Sequence, residues 1–468
     1  MKNRLFILIF LVAGVGSLWG QSFICEAPAV ATDTSIVRWW KAQKYVVYSR
    51  QGSNPATVSL VDFASGMVKT ATLPSGATIN DFRIDGNKVI AGGSNMSGSQ
   101  KVGLLACVDI LDLEAGSGSF HVCSFSNTWT DDGCCAVDYF NRITDVKRIA
   151  IVKGGVSEVA FIADNVILDS DGETVLFNRV GYGSAAIPPV SGNIFEYHYN
   201  KYGMEEYTDI DTMENYIVIA AKATDSSTLR LQVFDKTHDF ARCKYYSYTT
   251  DRYCHNDHVL MGNPMVSALD GDNFAVVYHT KPNLVGNSIM VVKKYSVSGG
   301  APSLTGSLDV SISSGYLSNW KMRDVKYCSY YHTLMALNDC PAQSTPGFGS
   351  HVYLFDMLNF NSGPHQIRFL PYHYSEYSLD MSRNDGYVLS GQMNAVGQLV
   401  VSEELIPAPS SCGQREILPK FTPSTPSMYR VSRYQCTVVP VVSDIVIPFV
   451  AVESMLNNTC SRQTPYAE

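Results

Sequence analysis

Cys254-His-Asn-Asp-His258 sets three metal-competent side chains, His255, Asp257 and His258, within four residues. Imidazole and carboxylate together suit a first-row divalent cation. Residues packed this tightly in a loop seldom converge on one ion, and Cys254 is better placed for a disulfide, so no metal site is assigned. Asp169-Ser-Asp171-Gly-Glu173 and Asp270-Gly-Asp272 carry fragments of calcium-loop spacing, without the full ligand set and its distal glutamate. Asp-Gly between two apolar runs makes a turn unaided. The expectation is therefore no cofactor, with calcium as the secondary reading.

Aspartates recur in similar surroundings. Asp81, Asp145, Asp209 and Asp324 each sit third in a short stretch that echoes I-N-D-F-R, as Ser267 and Leu379 do in two further copies. If the copies are arranged round an axis, these acids form a ring, and an acidic funnel is one outcome. Their recurrence favours a structural role instead, with each carboxylate accepting local backbone N–H groups at a strand start. A glycosidase needs two carboxylates roughly 5–9.5 Å apart in distinct environments, and nothing in the sequence singles out such a pair. No G-x-S-x-G elbow precedes a helix, and no phosphate-binding G-x-x-x-x-G-K-[ST] loop occurs. Catalytic residues stay unassigned.

The elements that position these residues follow from periodicity. Asn80–Phe125 reads as four strands, NDFRI, NKVIAGG, KVGLLACVDI and FHVCSF, with a tight turn at Asp85-Gly86-Asn87 and two Ser/Gly-rich connections lacking helical periodicity. Similar units start at Ile143, Tyr207, Met265, Met322 and Tyr377, with third positions 64, 64, 58, 57 and 55 residues apart. Second strands follow at Val159–Ala163, Tyr216–Ala221, Phe274–His279, Thr333–Asn338 and Tyr387–Gln392. Third strands often end in an apolar-Asp step: Val61-Asp62, Val108-Asp109, Phe234-Asp235 and Phe355-Asp356. An earlier copy uses Lys44–Arg50, Thr57–Phe63 and Met67–Leu73, with Ser35–Trp40 as a degenerate inner strand. Each unit is a small antiparallel sheet that cannot bury both faces alone, and radial packing solves this. The expected fold is an all-β, seven-bladed β-propeller of four-stranded blades over residues 35–421, with six blades as the alternative.

Val61-Asp-Phe-Ala-Ser-Gly66 resembles the third-strand-and-turn pattern of degenerate repeats in the β-propeller superfamily of secreted bacterial proteins. The resemblance implies the fold and says little of activity. Residues 422–468 open with a Pro-rich linker and add a C-terminal extension, whose apolar run Thr437–Val452 is expected to add a strand to the first blade or to wrap one face.

In such a fold, inter-blade links and second-to-third-strand loops share one face. That face collects Trp129, Tyr197, Tyr199, Tyr245, Tyr246, Tyr248, Tyr253, His255, Trp320, Tyr372 and Tyr374. Aromatic rings on a rigid scaffold give contact area at low entropic cost. The binding candidates are Trp129, Tyr197, Tyr199, Tyr246, Tyr253, His255, Trp320, Tyr372 and Tyr374. The bland alternative is that these rings only cover the blade ends.

Met1–Gly20 has a basic start, an apolar centre at Leu5–Val15 and small residues after it, which reads as a secretory signal peptide. Residues 21–34 form an N-terminal segment. Twelve cysteines in an exported chain imply disulfides, with Cys107–Cys123, Cys243–Cys254, Cys328–Cys340 and Cys412–Cys436 as the local pairings and Cys25 with Cys460 joining the ends. A net charge of -8 without a Lys/Arg run argues against nucleic acid. The reading is an exported binding or scaffold module in the periplasm, at the outer-membrane surface or outside a Gram-negative bacterium, without a membrane span in the mature chain. Its partner would be an envelope or extracellular protein, or a glycan. The alternative is a carbohydrate-active hydrolase or lyase with acids near the axis.

Overall fold

The computed structural model describes residues 22–27, 34–41, 44–50, 56–62, 65–125, 140–151, 158–168, 174–184, 195–196, 205–223, 229–235, 245–250, 258–282, 289–299, 301–311, 321–329, 332–339, 350–360, 364–370, 377–381, 387–393, 399–405, 428–429, 436–437, 442–455 and 461–463. These residues form antiparallel sheets almost throughout. Sheet 1 contains Thr34–Lys41, Lys44–Arg50, Thr57–Asp62 and Met67–Thr72. Sheet 2 contains Thr78–Asp85, Lys88–Ser97, Gln100–Asp109 and Ser117–Phe125. Sheet 3 contains Phe140–Ile151, Glu158–Leu168 and Thr174–Ser184. Sheet 4 contains Glu205–Thr212, Tyr216–Ala223, Leu229–Asp235 and Tyr245–Thr250. Sheet 5 contains His258–Ala268, Asn273–Pro282, Ile289–Ser298 and Ala301–Ser311. Sheet 6 contains Lys321–Cys328, Thr333–Asp339, Ser350–Asp356 and Pro364–Leu370. Sheet 7 contains Tyr377–Met381, Tyr387–Met393 and Leu399–Leu405.

Each first strand packs against the first strand of the next sheet, and that of sheet 7 packs against that of sheet 1. Apolar clusters lie between sheets 1 and 2, 2 and 3, 4 and 5, and 5 and 6. Sheets that are apolar on both faces and pack face to face round a cycle of first strands are the blades of a β-propeller. Every strand start expected from the repeat falls on a first strand.

The termini complete the cycle. Ser22–Ala27 pairs with Leu399–Leu405 and so supplies the fourth strand of sheet 7, with Ser461–Gln463 outside it. The sequence reading left residues 21–34 outside the repeat, because a lone strand in front of the first unit has no local partner to announce it. The ends are joined through backbone pairing; Cys460 lies outside the described residues.

The C-terminal extension behaves as a strap. Val442–Val450 adds a fifth strand to sheet 2, and Val452–Met455 adds one to sheet 1. The expected extra strand on the first sheet therefore exists, but most of the apolar run goes to the second. Phe449 anchors it, 8% exposed and with its ring 4.9 Å from Phe120. The Ala451 N–H donates to the Gly116 carbonyl. Alternation along the ladder then turns the Pro448 nitrogen to the free edge, where it removes a donor and blunts the edge against further pairing.

Two sequence expectations need correction here. The connection after Asp109 holds a six-residue helix, Ile110–Ala115, capped by the Asp109 carboxylate on Leu111 N–H and closed by Gly116 at φ 88°. Periodicity cannot reveal so short an element, although its cap residues are visible in the sequence. The second correction concerns disulfides: Cys107 and Cys328 are free thiols. Cys107 lies opposite His121, and Cys123 opposite Leu105. The two cysteines are thus diagonal neighbours, a spacing of roughly 7–8 Å between Cα atoms, beyond the usual reach of a disulfide. Cys328 sits at the turn end of its hairpin opposite Thr333, whereas Asp339, just before Cys340, pairs with Lys321 at the far end. About six residues of strand, roughly 20 Å, separate those ends. Cys243, Cys254 and Cys412 lie outside the described residues. Cys436 is described only through its backbone, which pairs with Glu196.

Two outcomes follow. Alkylation of unreduced, denatured protein should label Cys107 and Cys328, and neither should react in the native fold, where Cys107 is buried and burial pushes its thiol up to about 11. Peptide mapping that finds either residue in a disulfide overturns the assignment. Deleting Ser22–Ala27 should lower the melting temperature and cause concentration-dependent aggregation by opening an edge along Leu399–Leu405; an unchanged melt shows that the N-terminal strand does not close the ring.

Candidate functional site

The first strands carry the charged residues expected near the axis. In sheets 2, 3, 4 and 6 the pairing register slips immediately before the recurrent aspartate, between Ile79 and Asp81, Ile143 and Asp145, Tyr207 and Asp209, and Met322 and Asp324. A bulge leaves one residue unpaired and re-aims its neighbours. The bulge residues are polar and tie sheets together. Asn80 donates to the Val146 carbonyl at 2.9 Å and also to Asp145. Thr208 donates to the Pro264 carbonyl at 2.6 Å. Sheets 2 and 3 approach closely enough that a Cβ on Gly92 would lie 2.6 Å from Val146 Cγ1.

The aspartates take backbone donors, as the structural reading expected, but the donors include those of the next sheet. Asp81 accepts from Phe82 N–H and from Ile149 N–H at 3.1 Å. Asp209 accepts from Val266 N–H at 3.0 Å, and Asp211 from Ala268 N–H at 2.7 Å. Asp145 turns elsewhere, to Lys101 at 2.6 Å.

Among the described residues the acids near the axis are matched by basic groups. Arg38 of sheet 1 reaches Asp81 at 3.1 Å and Asp324 of sheet 6 at 3.6 Å. Sheet 7 lies between sheets 1 and 6 in the cycle, so this guanidinium spans the axial region. Arg83 contacts Asp81 at 2.6 Å, and Lys326 lies 3.9 Å from Asp324. Four basic groups, Arg38, Arg83, Arg148 and Lys326, thus face four acids, Asp81, Asp209, Asp211 and Asp324.

The two halves of this cluster differ. Burial alone would raise the Asp81 carboxyl, but Arg83, Arg38, Arg148 and Lys326 together hold it at about 2. Burial pushes Asp209 up to about 6, because its nearest cations act from a distance. Burial and the neighbouring Arg83 push the Lys326 ammonium down. Asp81 Oδ1 takes Arg38, Arg83 and Phe82 N–H, and Oδ2 takes Ile149 N–H. Asp209 is 7% exposed and makes no ion pair among the described residues.

The aromatic face is a different matter. Trp129, Tyr197, Tyr199, Tyr253, His255, Trp320, Tyr372 and Tyr374 lie outside the described residues. Tyr246 lies on Tyr245–Thr250, the fourth strand of sheet 4, opposite Val233. Tyr245, Tyr246 and Tyr248 therefore lie on a strand rather than in a loop. The strand directions do support the common face. Sheets 2, 4, 5 and 6 each end, and sheets 3 to 6 each begin, on the end opposite the first-to-second-strand turns.

Those opposite turns form their own chain of contacts. Asp272 accepts from the backbone and side-chain N–H groups of Asn215, at 2.8 and 2.7 Å. Asp270 accepts from Tyr327 and lies 3.0 Å from His332 Nδ1. The Asp270-Gly-Asp272 carboxylates are thus used in joining neighbouring hairpins rather than held free for calcium. Asp169–Glu173 and His255–His258 cannot be compared as ligand sets, since Asp169–Glu173 and His255–Asp257 lie outside the described residues. Among the described residues no cluster suits a metal ion.

The basic half of the axial cluster was missed in the sequence. For Arg83 and Lys326 the signal was the residue two after the aspartate, in Asp81-Phe-Arg83 and Asp324-Val-Lys326. Alternation returns that residue to the same face as the acid. Arg38 gave no such signal, because its strand lacks the aspartate.

No protein-family model and no curated protein matches this sequence. Among solved structures, prolyl oligopeptidase B from Galerina marginata bound to a 25mer macrocyclization substrate aligns with 10% identity and a TM-score of 0.43, covering 78% of this chain and 48% of that one. The chain spans about half the length of that enzyme. The β-propeller domain of the Trilobed protease from Pyrococcus furiosus aligns with 9% identity and a TM-score of 0.36, covering 82% of this chain and 99% of that one. The fold assignment rests on the sheets themselves.

Asp209 supplies a test of the axial electrostatics. Its folded-state carboxyl titrates at about 6 against an ordinary 3.8. The folded protein holds that proton more tightly, so the penalty is absent below about pH 4, grows as pH rises through about 6 and is complete above it. Asp209→Asn should stabilise the protein above that range by roughly 2–3 kcal/mol and have little effect near pH 4. Melting curves across pH check this; a destabilised variant at neutral pH shows that the charge is compensated.

Proposed function

We propose that this chain is an exported seven-bladed propeller serving as a binding or scaffold module of the cell envelope, recognising a protein or glycan through its link-bearing end. The observation that carries this reading is the division of labour between the ends and the axis. The described strands of sheets 2, 4, 5 and 6 end on the side opposite the first-to-second-strand turns, and most of the candidate aromatic residues fall in the sequence between the described sheets. The opposite turns are tied to one another by Asp270 and Asp272. The seven-blade count is supported by seven sheets of three or more strands among the described residues and by the cycle of first-strand contacts. Export is supported by the sequence of Met1–Gly20, and Ser22–Ala27 begins directly after it. Among the described residues no helix is long and apolar enough to cross a membrane.

A second reading, a carbohydrate-active hydrolase, has one specific observation in its favour. Asp81 and Asp209 titrate far apart, at about 2 and about 6, and separated carboxyl environments are how an acid and a base are made from one residue type. Against it, Asp81 is 1% exposed and its carboxylate is already engaged by two arginines and two N–H groups.

Replacing Tyr197, Tyr199, Tyr372 and Tyr374 by Ala should abolish capture of the envelope partner by crosslinking, with the melting temperature unchanged. Partner capture that survives these changes removes the aromatic end from the reading. Release of reducing sugar from a polysaccharide panel, lost in Asp209→Asn, would favour the hydrolase.

A further inference from the structure

Sheets 5 and 6 are joined at both ends of their contact, and the two ends use histidine differently. Second strands run from the hairpin turn to the link-bearing end. His279 and Asn338 each stand near the close of a second strand, so they meet at the link-bearing edge. Both are fully buried. Asn338 Nδ2 donates to Met290 Sδ at 3.2 Å, which turns Oδ1 toward the imidazole at 2.6 Å. An amide oxygen accepts, so the single proton of the neutral ring is spent on Nε2. Nδ1 is left bare, buried and without a hydrogen-bond partner. At the turn edge Asp270 accepts from Tyr327 and lies 3.0 Å from His332 Nδ1. Lys294 donates there to the Met357 carbonyl at 3.1 Å.

A second proton has no place at the link-bearing edge. It would put a cation and an N–H without an acceptor into an apolar junction, and both are costly. The acids on the strands of these two sheets stand off. Asp309 is opposite Val291 of the cluster toward sheet 4, and Asp324 reaches the axis. Asp339 takes the next position after Asn338, opposite Lys321, which alternation gives to the other face. Asp356 is opposite Thr333 at the turn edge. The other titratable residues toward the junction are Lys294 and Tyr327 in the turn half, Tyr353 opposite Ala336, His351 opposite Asn338, and Lys281 two places after His279. At the turn edge a proton is tolerated, because an imidazolium at His332 stays beside a carboxylate.

We propose that His279 is an acid-sensitive clasp: a proton on Nδ1 releases the link-bearing edge between sheets 5 and 6, while the turn edge stays shut as the hinge. This rests on reading the link-bearing end as the binding surface, and it makes partner capture fall in acid. Lys321–Cys328, the strand entered directly after Trp320, belongs to this junction. Burial lowers the closed-state imidazole to about 4 against an ordinary 6.5. The opened edge therefore binds more protons, so opening is favoured as pH falls through 6.5 and levels off below about 4. Those two values make opening about 20-fold more favourable at pH 5 than at pH 7.

The test is amide hydrogen exchange of the mature chain at pH 7 and pH 5, corrected for intrinsic rates. Residues 278–280 and 337–339 should exchange about 20-fold faster at pH 5, and residues 273–275 and 333–335 should not. His279→Gln, which cannot take the second proton, should lose the gain. Asn338→Asp, which sets a carboxylate against the imidazolium, should lose it too, so the test does not hang on one variant. Lys281→Gln and His351→Gln should keep it. The clasp is overturned if both edges open alike, if neither responds, or if the gain persists in His279→Gln. Crosslinking of the envelope partner at the two pH values separates this from the binding reading. Capture lost at pH 5 in the parent and kept in His279→Gln supports both. An exchange response with no capture at either pH supports the clasp and sinks the binding reading, whereas capture without any exchange response sinks the clasp alone.

Discussion

Arg38 holds the first strand of sheet 1 to those of two other sheets at once. One guanidinium donates to the Phe82 carbonyl and pairs with Asp81 and Asp324. It is 4% exposed, so each partner it loses is a buried charge left uncompensated, a situation that typically costs about 3–5 kcal/mol. Ordinary apolar packing tolerates sliding of one sheet over its neighbour, whereas a planar guanidinium shared between two carboxylates across the centre constrains distance and angle together. The relative setting of sheets 1, 2 and 6 depends on it, and the inner strands of sheets 2 to 5 are spaced by direct hydrogen bonds from one strand to the next.

Those bonds need the bulges. A regular strand would point the aspartate along its own sheet; one unpaired residue before it turns the carboxylate toward the neighbouring backbone. Asn80 and Thr208, the residues displaced in this way, donate across the same junctions. Acid, bulge and bulge residue form one device, used in sheets 2 and 4 with the same geometry and different residues. Sheet 5 has Ser267 at the equivalent place and a register shift earlier, between Met261 and Met265. Its junction with sheet 6 is made farther out, by His279 against Asn338 at 2.6 Å, where burial lowers the imidazole to about 4 and keeps it neutral.

Much of this was legible in the residues. The recurrent aspartates located the first strands of sheets 2, 3, 4 and 6, and the apolar-Asp steps located third-strand ends, because both depend on side-chain chemistry repeated at a fixed structural place. The features that escaped have no local signature. Ser22–Ala27 finds its partner some 370 positions away in the chain. Arg38 belongs to a repeat without the marker acid. The bulges depend on pairing, which a single strand does not declare. The pairings Cys107–Cys123 and Cys328–Cys340 failed because nearness along a hairpin was used where register and face decide. At the aromatic end, Tyr245–Thr250 reads as loop from its ring content and as strand from its alternation, and alternation prevailed.

The seventh sheet takes three strands from late in the sequence and one from its beginning. A chain made or exported from its N-terminus therefore carries Ser22–Ala27 as an unpaired strand until Leu399–Leu405 has emerged. Closing a loop of that size costs entropy only logarithmically in its length, but the search is slow, since contacts this distant form late. Six sheets must wait as an open arc with an exposed apolar face at each end. The time between the appearance of the first strand and of its partner is the interval in which this protein is most open to meeting another copy of itself.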